Sequence, residues 1–379
     1  MRTALRLAAC AAPLLVAVAC TTSSTGGTTP DGLPRTVRPA RPATPSKIEH
    51  VVIIVQENHT FDGHFGTYSQ ACELTEIDDG KMDRFVTGGD SKCSNPDNFA
   101  ISAASVVNPY HDYASQYAIA DRYFQSIAGQ SSANDMYLAV AKFVFLDNEV
   151  KPDAVGKECN LTAKTARFDG MTIADLLTAK QKTINFYAEG YGAAKASPGQ
   201  CPKAPDDCGL GLPLYPCSFD PGDVPFLYYK QLATSPDFMK DYAELAGDLA
   251  KGTLPNVAYV KAIGYRSEHP GYETALSPGV TFVDTLVKSI LASSYKDNTL
   301  VLVTWDEGGG YFDHVAPPAT NPADGKPYGT RVPLLVLGRS APAARARRSS
   351  PWRTSIVKFL EWNFSLIDPT QTDRPVPEN

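Results

Sequence analysis

Two short stretches of the chain are apolar almost without interruption, and each ends directly in charged or amide side chains. Residues 49–56 read EHVVIIVQ, and residues 299–305 read TLVLVTW. Runs that are apolar on both faces are typical of central strands in a mostly parallel sheet covered by helices. Ligands of open α/β sheets bind at the carboxyl ends of strands, so we expect the side chains that follow the two runs to form a site. These side chains are Glu57, Asn58, Asp306 and Glu307.

Shorter patterns between the two runs alternate between strand and helix. Residues 183–188, 256–261 and 333–337 are predicted strands. Predicted helices cover Ile173–Ala179, residues 281–294 with a possible start at Ser277-Pro278, and residues 354–364. The alternation predicts an α/β fold with a central, mostly parallel sheet sandwiched by helices.

The first 46 residues differ in composition from the rest. Arg2 and Arg6 precede a short apolar run, so residues 1–19 are interpreted as a signal peptide. The sequence before Cys20 resembles a lipoprotein cleavage site, which predicts a lipidated Cys20; ordinary signal-peptide cleavage nearby is the alternative. Residues 20–46 form a predicted flexible linker, and residues 47–367 a single catalytic domain followed by a tail at 368–379. We therefore expect an exported protein of the bacterial cell envelope or the extracellular space.

The composition excludes several classes of protein. Of the 379 residues, 43% are hydrophobic and 20% are charged, which is too apolar for a disordered chain. The net charge is −6 and no basic tract stands out, so nucleic acid is not an expected partner. A negative net charge still allows an anionic substrate, because a bound cation can make the local electrostatic potential positive.

Six cysteines remain once Cys10 and Cys20 are set aside, and an even number after an export signal favours disulfides. Cys72 with Cys93 is the expected pair, while the other four can pair in three ways: Cys159, Cys201, Cys208 and Cys217. Zinc binding is disfavoured because the chain has no C-x-x-C pair. Residues 195–225, rich in Pro, Gly and Cys, are interpreted as an inserted, stapled surface loop without a catalytic role.

Three of the six histidines lie in polar, aromatic or Gly/Pro-rich surroundings, namely His111, His269 and His314. A single histidine of this kind is usually structural. Three of them, beside two acidic strand ends, indicate roles as acid, phosphate-binding group or metal ligand.

Two longer motifs carry a family resemblance. Residues 57–66, ENHTFDGHFG, resemble the E-N-[RH]-[ST]-F-D-x-x-F-G signature of the bacterial phosphoesterase family, and residues 306–318, DEGGGYFDHVAPP, resemble its second signature. Shorter matches follow the family order at residues 268–270, 329–333 and 359–364. That family contains phosphatidylcholine-type phospholipases C and respiratory-burst-inhibiting acid phosphatases. The resemblance implies an alkaline-phosphatase-like fold with a metal at the carboxyl edge of the sheet.

The family nucleophile lies in a G-P-[ST]-x-P-N segment, which corresponds here to residues 129–134, GQSSAN. The resemblance places Ser131 at the nucleophile position. Both prolines are replaced, so Ser132 is the alternative. A further departure is Gly308, where many relatives carry a larger polar residue. A helix start in this Ser-rich turn is compatible with catalysis, because helix N-termini favour anions.

The resemblance also assigns the remaining roles. One divalent ion would be held by Glu57, Asn58, Ser131, Asp306 and Glu307. These mainly hard oxygen donors favour Ca, Mg or Mn. His111, His269 and His314, with Asn58, would surround the phosphoryl oxygens or protonate the leaving group. Ser131 would attack phosphorus, and water would hydrolyse the resulting phosphoserine.

Four further residues of the motifs are expected to act indirectly. Asp62 and Asp313 would orient a histidine or a backbone amide. Phe61 and Phe65 would pack beneath the metal loop. Arg331 is equally consistent with a structural ion pair and with a phosphate ligand.

The sequence therefore predicts a secreted or surface-anchored, metal-dependent phosphoester hydrolase. Because the chain is short and has no obvious C-terminal β-domain, an acid phosphatase that cleaves monoesters is favoured. The alternative is a phospholipase C that acts on phospholipid head groups, and a second is an inactive surface-binding lipoprotein with the same fold. The expected substrate is a small phosphoester or a phospholipid, and the oligomeric state is left open.

Overall fold

A seven-stranded sheet forms the centre of the computed structural model, with the strand order β4-β9-β8-β1-β7-β5-β6. A separate parallel pair consists of β2 and β3. The strands are β1 (His50–Gln56), β2 (Val86–Gly88), β3 (Ala100–Ser102), β4 (Ala118–Ala120), β5 (Ile184–Ala188), β6 (Met239–Asp241), β7 (Val257–Lys261), β8 (Thr299–Trp305) and β9 (Leu334–Leu337).

The strand β1 lies at the middle of the sheet and is parallel to both of its neighbours, β7 and β8. Its residues from Val51 to Val55 are buried, as expected for a strand covered on both faces. In the register with β8, Gln56 is opposite Trp305, so the residues that follow both strands start at the same level. Only β9 runs against its neighbours β4 and β8.

The helices pack around this sheet, and buried residues of both make one hydrophobic core. The helix α8 repeats Val283, Leu286, Val287 and Ile290 at helical spacing and buries that face. The helices are α1 (Phe61–Phe65), α2 (Ala104–Gln116), α3 (Ser131–Val140), α4 (Ile173–Ala179), α5 (Tyr191–Ala196), α6 (Lys230–Ala233), α7 (Tyr242–Lys251), α8 (Leu276–Ala292) and α9 (Thr354–Asn363).

The predicted α/β class with a mostly parallel, helix-covered sheet is confirmed. The five predicted strands correspond to β1, β5, β7, β8 and β9, and the three predicted helices to α4, α8 and α9. The helix α8 begins at Leu276, which agrees with a start close to Ser277-Pro278. The short strands β4 and β6 were not predicted, because three residues carry too little pattern.

The structure describes residues 48–66, 86–88, 100–145, 154–197, 199–211, 214–272, 274–321, 324–339, 341 and 354–366. The predicted signal peptide with Cys20, the linker, the tail and the Cys72–Cys93 pair lie outside these residues. Of the three pairings open to the other cysteines, the structure has Cys159–Cys201 and Cys208–Cys217. Among the described residues, every helix is too short or too polar to span a bilayer.

Candidate active site

The carboxyl ends of β1 and β8 meet through backbone and side-chain hydrogen bonds. The Asn58 amide and the Glu307 amide both donate to Asp306 Oδ1, at 3.0 and 2.7 Å. Asn58 Nδ2 donates to Glu307 Oε1 at 2.7 Å. Asn58 has a φ of +59°, a left-handed conformation that non-glycine residues adopt rarely and that often marks functional sites. Asn58, Asp306 and Glu307 thus lie in contact at this edge, and Glu57 directly precedes Asn58 in the chain.

Glu57 is buried, and three side chains hold its carboxylate. Lys261 Nζ lies 2.5 Å from Oε1, while Tyr215 and Ser267 donate their hydroxyls to Oε2 at 2.8 and 3.1 Å. Burial by itself would raise the pKa of Glu57, but the charges of Lys261 and His269 and the hydrogen bonds lower this pKa to about 2. Glu57 is thus an ionised carboxylate at any physiological pH.

Lys261 ends β7 and is only 3% exposed. Besides Glu57, it lies 3.9 Å from Asp135 Oδ2. Burial opposes its charge, but Glu57 and Asp135 raise the pKa of Lys261 above its usual value. The residue was missed in the sequence, although it stands at the carboxyl end of a predicted strand and the rule that found Glu57 applies to it as well.

Ser131 is the first residue of α3 and is half-buried. Asn134 fixes the turn before it, accepting from the Ile127 amide and donating to the carbonyls of Gly129 and Gln130. Asp135, the partner of Lys261, is four residues after Ser131 and therefore on the same helix face. Lys261 thus links the helix of the predicted nucleophile to Glu57.

Ser132, the alternative nucleophile, is buried, and its hydroxyl donates to the Gly222 carbonyl at 3.1 Å. A hydroxyl engaged in a buried structural bond is a poorer nucleophile candidate than a half-buried one on the face of Asp135. The helix start predicted in this turn is present, with Gln130 as its N-cap.

His269 belongs to the same site. Its Nδ1 donates to the Pro270 carbonyl at 2.6 Å, and its Nε2 lies 3.4 Å from Asn58 Nδ2. Two tyrosine rings flank it, Tyr272 at 4.8 Å and Tyr215 at 6.0 Å between centroids.

His314 is hydrogen-bonded to Asp62, which belongs to the motif at residues 57–66. Asp62 Oδ2 accepts from the His314 amide and lies 2.8 Å from its Nδ1. Arg331 donates to Asp62 at 3.0 Å and to Asp313 at 2.7 Å, and Asp313 also accepts from the Asp62 amide. The geometry agrees with the orienting roles predicted for the two aspartates, and it makes Arg331 part of a buried ion-pair network.

His111 lies on α2, where Nε2 donates to the His64 carbonyl at 2.7 Å and the ring packs on Phe65. Burial lowers the pKa of His111 below its usual value. Its contacts are with α1, whose Phe61 and Phe65 are fully buried as predicted for the packing beneath the motif.

A second polar cluster lies beneath the motif. His64 bonds Glu268 at 2.9 Å and stacks on His59, and these three residues place ligand atoms within 4.8 Å of one another. Glu268 also accepts from Trp305, Tyr110 and Gln56. Asp62, Asp313 and His314 form another group with this spacing. Because protein donors already bind Glu268, and Arg331 already binds the two aspartates, both groups have a structural explanation without an ion.

The predicted metal set differs from these two groups in Asn58, although the carboxylates of Glu57 and Glu307 also bind protein donors. Asn58 Oδ1 is a buried acceptor without a hydrogen-bond partner among the described residues. Such an oxygen, beside the carboxylates of Glu57, Asp306 and Glu307, suits a hard divalent cation. The residues present therefore fit the metal, with the ammonium of Lys261 as an additional positive charge that was not expected.

Gly308 is explained by its neighbours. Its amide donates to Gln125 Oε1 at 2.9 Å, and Thr330 donates to the same oxygen at 3.0 Å. A Cβ atom at position 308 would lie 2.1 Å from Thr330 Oγ1. Gln125 and Thr330 thus leave no room for a side chain at position 308.

Comparison with known proteins identifies the family of the chain. The profile of the phosphoesterase family matches residues 70–367. The non-hemolytic phospholipase C of Burkholderia pseudomallei is 28% identical over 145 residues, which cover 32% of this chain and 20% of that one. The hemolytic phospholipase C of Pseudomonas aeruginosa is 21% identical over 410 residues, covering 86% of this chain and 54% of that one. The matches thus span from a fifth to about half of the relatives' length.

Solved structures that match the chain include an alkaline phosphatase superfamily protein from Vibrio parahaemolyticus, 11% identical with a TM-score of 0.43, over 85% of this chain and 67% of that one. The lipoteichoic acid synthase of Listeria monocytogenes is 10% identical, also with a TM-score of 0.43, over 86% of this chain and 73% of that one.

Proposed function

Because the chain belongs to the phosphoesterase family, we propose that it is a metal-dependent phosphoester hydrolase in which Ser131 is the nucleophile. The observation that carries the proposal is the convergence of Glu57, Asn58, Asp306 and Glu307 at one sheet edge, with Lys261 connecting this edge to α3. Phosphoryl transfer requires mainly positioning and neutralisation of charge, and this set of residues supplies both.

Glu57, Asn58, Asp306, Glu307 and the Ser131 hydroxyl would hold one divalent ion, of the Ca, Mg or Mn type. When bound, the ion withdraws charge from the serine oxygen and from the phosphoryl oxygens. The remaining steps use the protein's own groups. Ser131 Oγ forms a bond to phosphorus as the bond to the alcohol oxygen breaks, which gives a phosphoserine ester. Water then attacks phosphorus, the bond to Ser131 Oγ breaks, and the phosphate or phosphorylated head group leaves with the serine hydroxyl restored.

The histidines divide the proton transfers. Asp62 orients the ring of His314 through Nδ1, which leaves Nε2 to donate a proton to the departing alcohol. The Nε2 atom of His269 is next to Asn58, where it can take the proton of Ser131 or of the attacking water. His111, with a lowered pKa and its Nε2 bonded to the His64 carbonyl, supports α1.

For the substrate we favour a phosphodiester head group of a phospholipid. The relatives quoted above are phospholipases C, and this similarity outweighs the argument from chain length that favoured an acid phosphatase. The leaving group would be a diacylglycerol. Monoester hydrolysis is the second candidate, and the inactive binding lipoprotein the third. We also propose that the protein is exported and lipidated at Cys20.

The test compares Ser131→Ala with Ser132→Ala on two substrates, p-nitrophenyl phosphorylcholine and p-nitrophenyl phosphate. We expect turnover of the choline diester, loss of at least about a thousandfold in kcat for Ser131→Ala, and near-normal kcat for Ser132→Ala. Acid-quenched enzyme should carry a phosphate ester on the peptide with Ser131. Turnover of the monoester alone would establish the acid phosphatase, and normal kcat for Ser131→Ala would refute the nucleophile.

A further inference from the structure

The disulfide between Cys208 and Cys217 closes a loop of unusual composition. The eight residues between the two cysteines read GLGLPLYP, with three leucines and no charged side chain. Both cysteines are buried, whereas Leu214 is 46% exposed. A surface loop of a protein with a net charge of −6 would ordinarily carry charged residues, so the apolar composition requires an explanation.

The loop is docked directly at the site. Tyr215 donates to Glu57, and the carbonyl of Pro216 accepts from the Tyr265 amide at 2.8 Å. Gly264 makes this close approach possible, since a Cβ atom there would lie 2.4 Å from Tyr215 Cζ. The loop that the sequence indicated to be a surface connection thus contributes one wall of the site.

Next to Tyr215 lies an exposed aromatic residue, Tyr272. The ring of Tyr272 is 4.9 Å from that of Tyr215 and 4.8 Å from that of His269, and the residue is 42% exposed. In the described part of the chain, the large hydrophobic residues exposed to this degree are Met171, Leu214, Tyr272 and Trp362. Two of these four therefore lie beside Tyr215, which donates to Glu57: Leu214 precedes it in the chain, and the ring of Tyr272 packs against its ring.

We propose that Leu214 and Tyr272 form an apolar rim that enters the interface of a zwitterionic phospholipid bilayer. The proposal rests on the proposed phospholipase function, because a head group presented by a bilayer reaches a buried site only if the surface around that site contacts the lipid. Tyrosine favours the boundary between hydrocarbon and water, and leucine favours the hydrocarbon.

The surrounding charges select the type of lipid. Asp206 and Asp207 precede the loop and are exposed. Asp207 is paired with Arg266, and Lys203 with Asp206, so the rim has no excess of positive charge from these residues. Binding to anionic lipids generally uses clusters of Lys and Arg near the surface. The rim therefore fits phosphatidylcholine rather than anionic lipids.

The experiment measures sedimentation with phosphatidylcholine vesicles. All proteins carry Ser131→Ala to prevent lipid turnover and Cys20→Ser to exclude an acyl anchor. Leu214→Ser and Tyr272→Ser are the test variants. Trp362→Ser is the matched control, because Trp362 is 44% exposed and its neighbour Asn363 bonds the Ile48 carbonyl at the opposite, amino end of β1. We expect each test variant to weaken vesicle binding about tenfold and the control to leave it unchanged.

A parallel assay separates this proposal from the proposed function. With Ser131 intact, Leu214→Ser should retain wild-type kcat/KM on p-nitrophenyl phosphorylcholine and lose activity on vesicles. Vesicle binding without any turnover of the soluble diester would support the apolar rim and refute the proposed phospholipase function. Equal vesicle binding of Leu214→Ser, Tyr272→Ser and Trp362→Ser would overturn the rim. A dimer in sedimentation velocity that Leu214→Ser dissociates would overturn it too, since the occupant would then be a second copy of the chain.

Discussion

The ammonium of Lys261 lies 2.5 Å from the Oε1 oxygen of Glu57, in a part of the interior where both side chains are almost completely buried. It also lies 3.9 Å from Asp135 of α3. A lysine in this place neutralises one of the carboxylates that the family resemblance assigns to the metal. The affinity of the site for a divalent ion is therefore set partly by a positive charge that belongs to the protein.

Replacing Lys261 by Met should make the metal-free protein less stable and its response to metal larger. Removing one member of a buried ion pair costs about 3–5 kcal/mol, because the remaining carboxylates lose their counter-charge. A divalent ion can replace that charge. We expect melting curves of Lys261→Met to show a lower midpoint in chelator and a larger upward shift with Mn²⁺ than wild type. Lys261→Arg, which keeps the charge, is the control; identical shifts in all three proteins would contradict the interpretation.

Asp306→Asn should abolish metal binding and turnover together while keeping the fold. The Asp306 Oδ1 atom accepts from the amides of Asn58 and Glu307, and the oxygen of an asparagine can accept both bonds without the charge. We expect kcat to fall by at least about a thousandfold, with the free energy of unfolding of the metal-free protein changed by about 1 kcal/mol or less. Bound metal is measured by elemental analysis. Full wild-type activity in excess chelator would argue against a metal mechanism.

Gly308→Ala should destabilise the protein, although alanine is the smallest possible change. The added methyl group would lie 2.1 Å from Thr330 Oγ1 and 3.0 Å from Thr60 Cγ2. Overpacking of this kind costs about 1–3 kcal/mol. Gly247→Ala is the control, because Gly247 lies in α7 with no atom within 4 Å of the added carbon, and there alanine should stabilise by about 0.5–1 kcal/mol.

The double variant Gly308→Ala/Thr330→Ala should recover part of the loss, since it removes the clashing hydroxyl. Urea denaturation of the four proteins measures the free energies of unfolding. An equal effect of alanine at positions 308 and 247 would show that the space around Gly308 is not limiting.

Protonation of His111 should lower the free energy of unfolding as the pH falls. Burial lowers the pKa of His111 in the folded chain, so the unfolded chain takes up a proton first. The stability that this histidine contributes is complete above its unfolded pKa of about 6.5 and is lost as the pH falls toward the lower folded value. His111→Gln, whose side-chain amide can replace Nε2 as donor to the His64 carbonyl, should show a smaller decrease in unfolding free energy between about pH 7 and about pH 5. A decrease as large as that of wild type would contradict a lowered pKa.

The strands and helices that could be predicted are those with long and regular patterns. The runs that became β1 and β8 are apolar at nearly every position, and their acidic ends could be recognised as a site because strand ends share one edge. The pairing of Asn58 with Asp306 follows from the register of these two strands. Ser131 required the family resemblance, since a serine in a Ser-rich turn has no distinguishing local pattern.

The residues that were missed act through contacts between distant segments. Tyr215 belongs to a disulfide-closed loop, and only its folded position brings it to Glu57. Asp135 is one of nine buried residues in the ten-residue helix α3, so no polar face marks it. Gln125 supports Gly308 across 183 positions of the chain. Lys261 alone carried a usable signal, as the last residue of a predicted strand.

The position of β1 has a consequence for the biosynthesis of the protein. Val51 pairs with Val257, and His50 with Thr299, so both neighbours of this strand are encoded more than two hundred codons later. At about 5–20 residues per second, a ribosome needs roughly ten to forty seconds to supply the first of them. During that interval a nascent chain exposes an apolar segment that cannot yet complete its sheet. We therefore expect chaperones to bind this segment until translation nears its end.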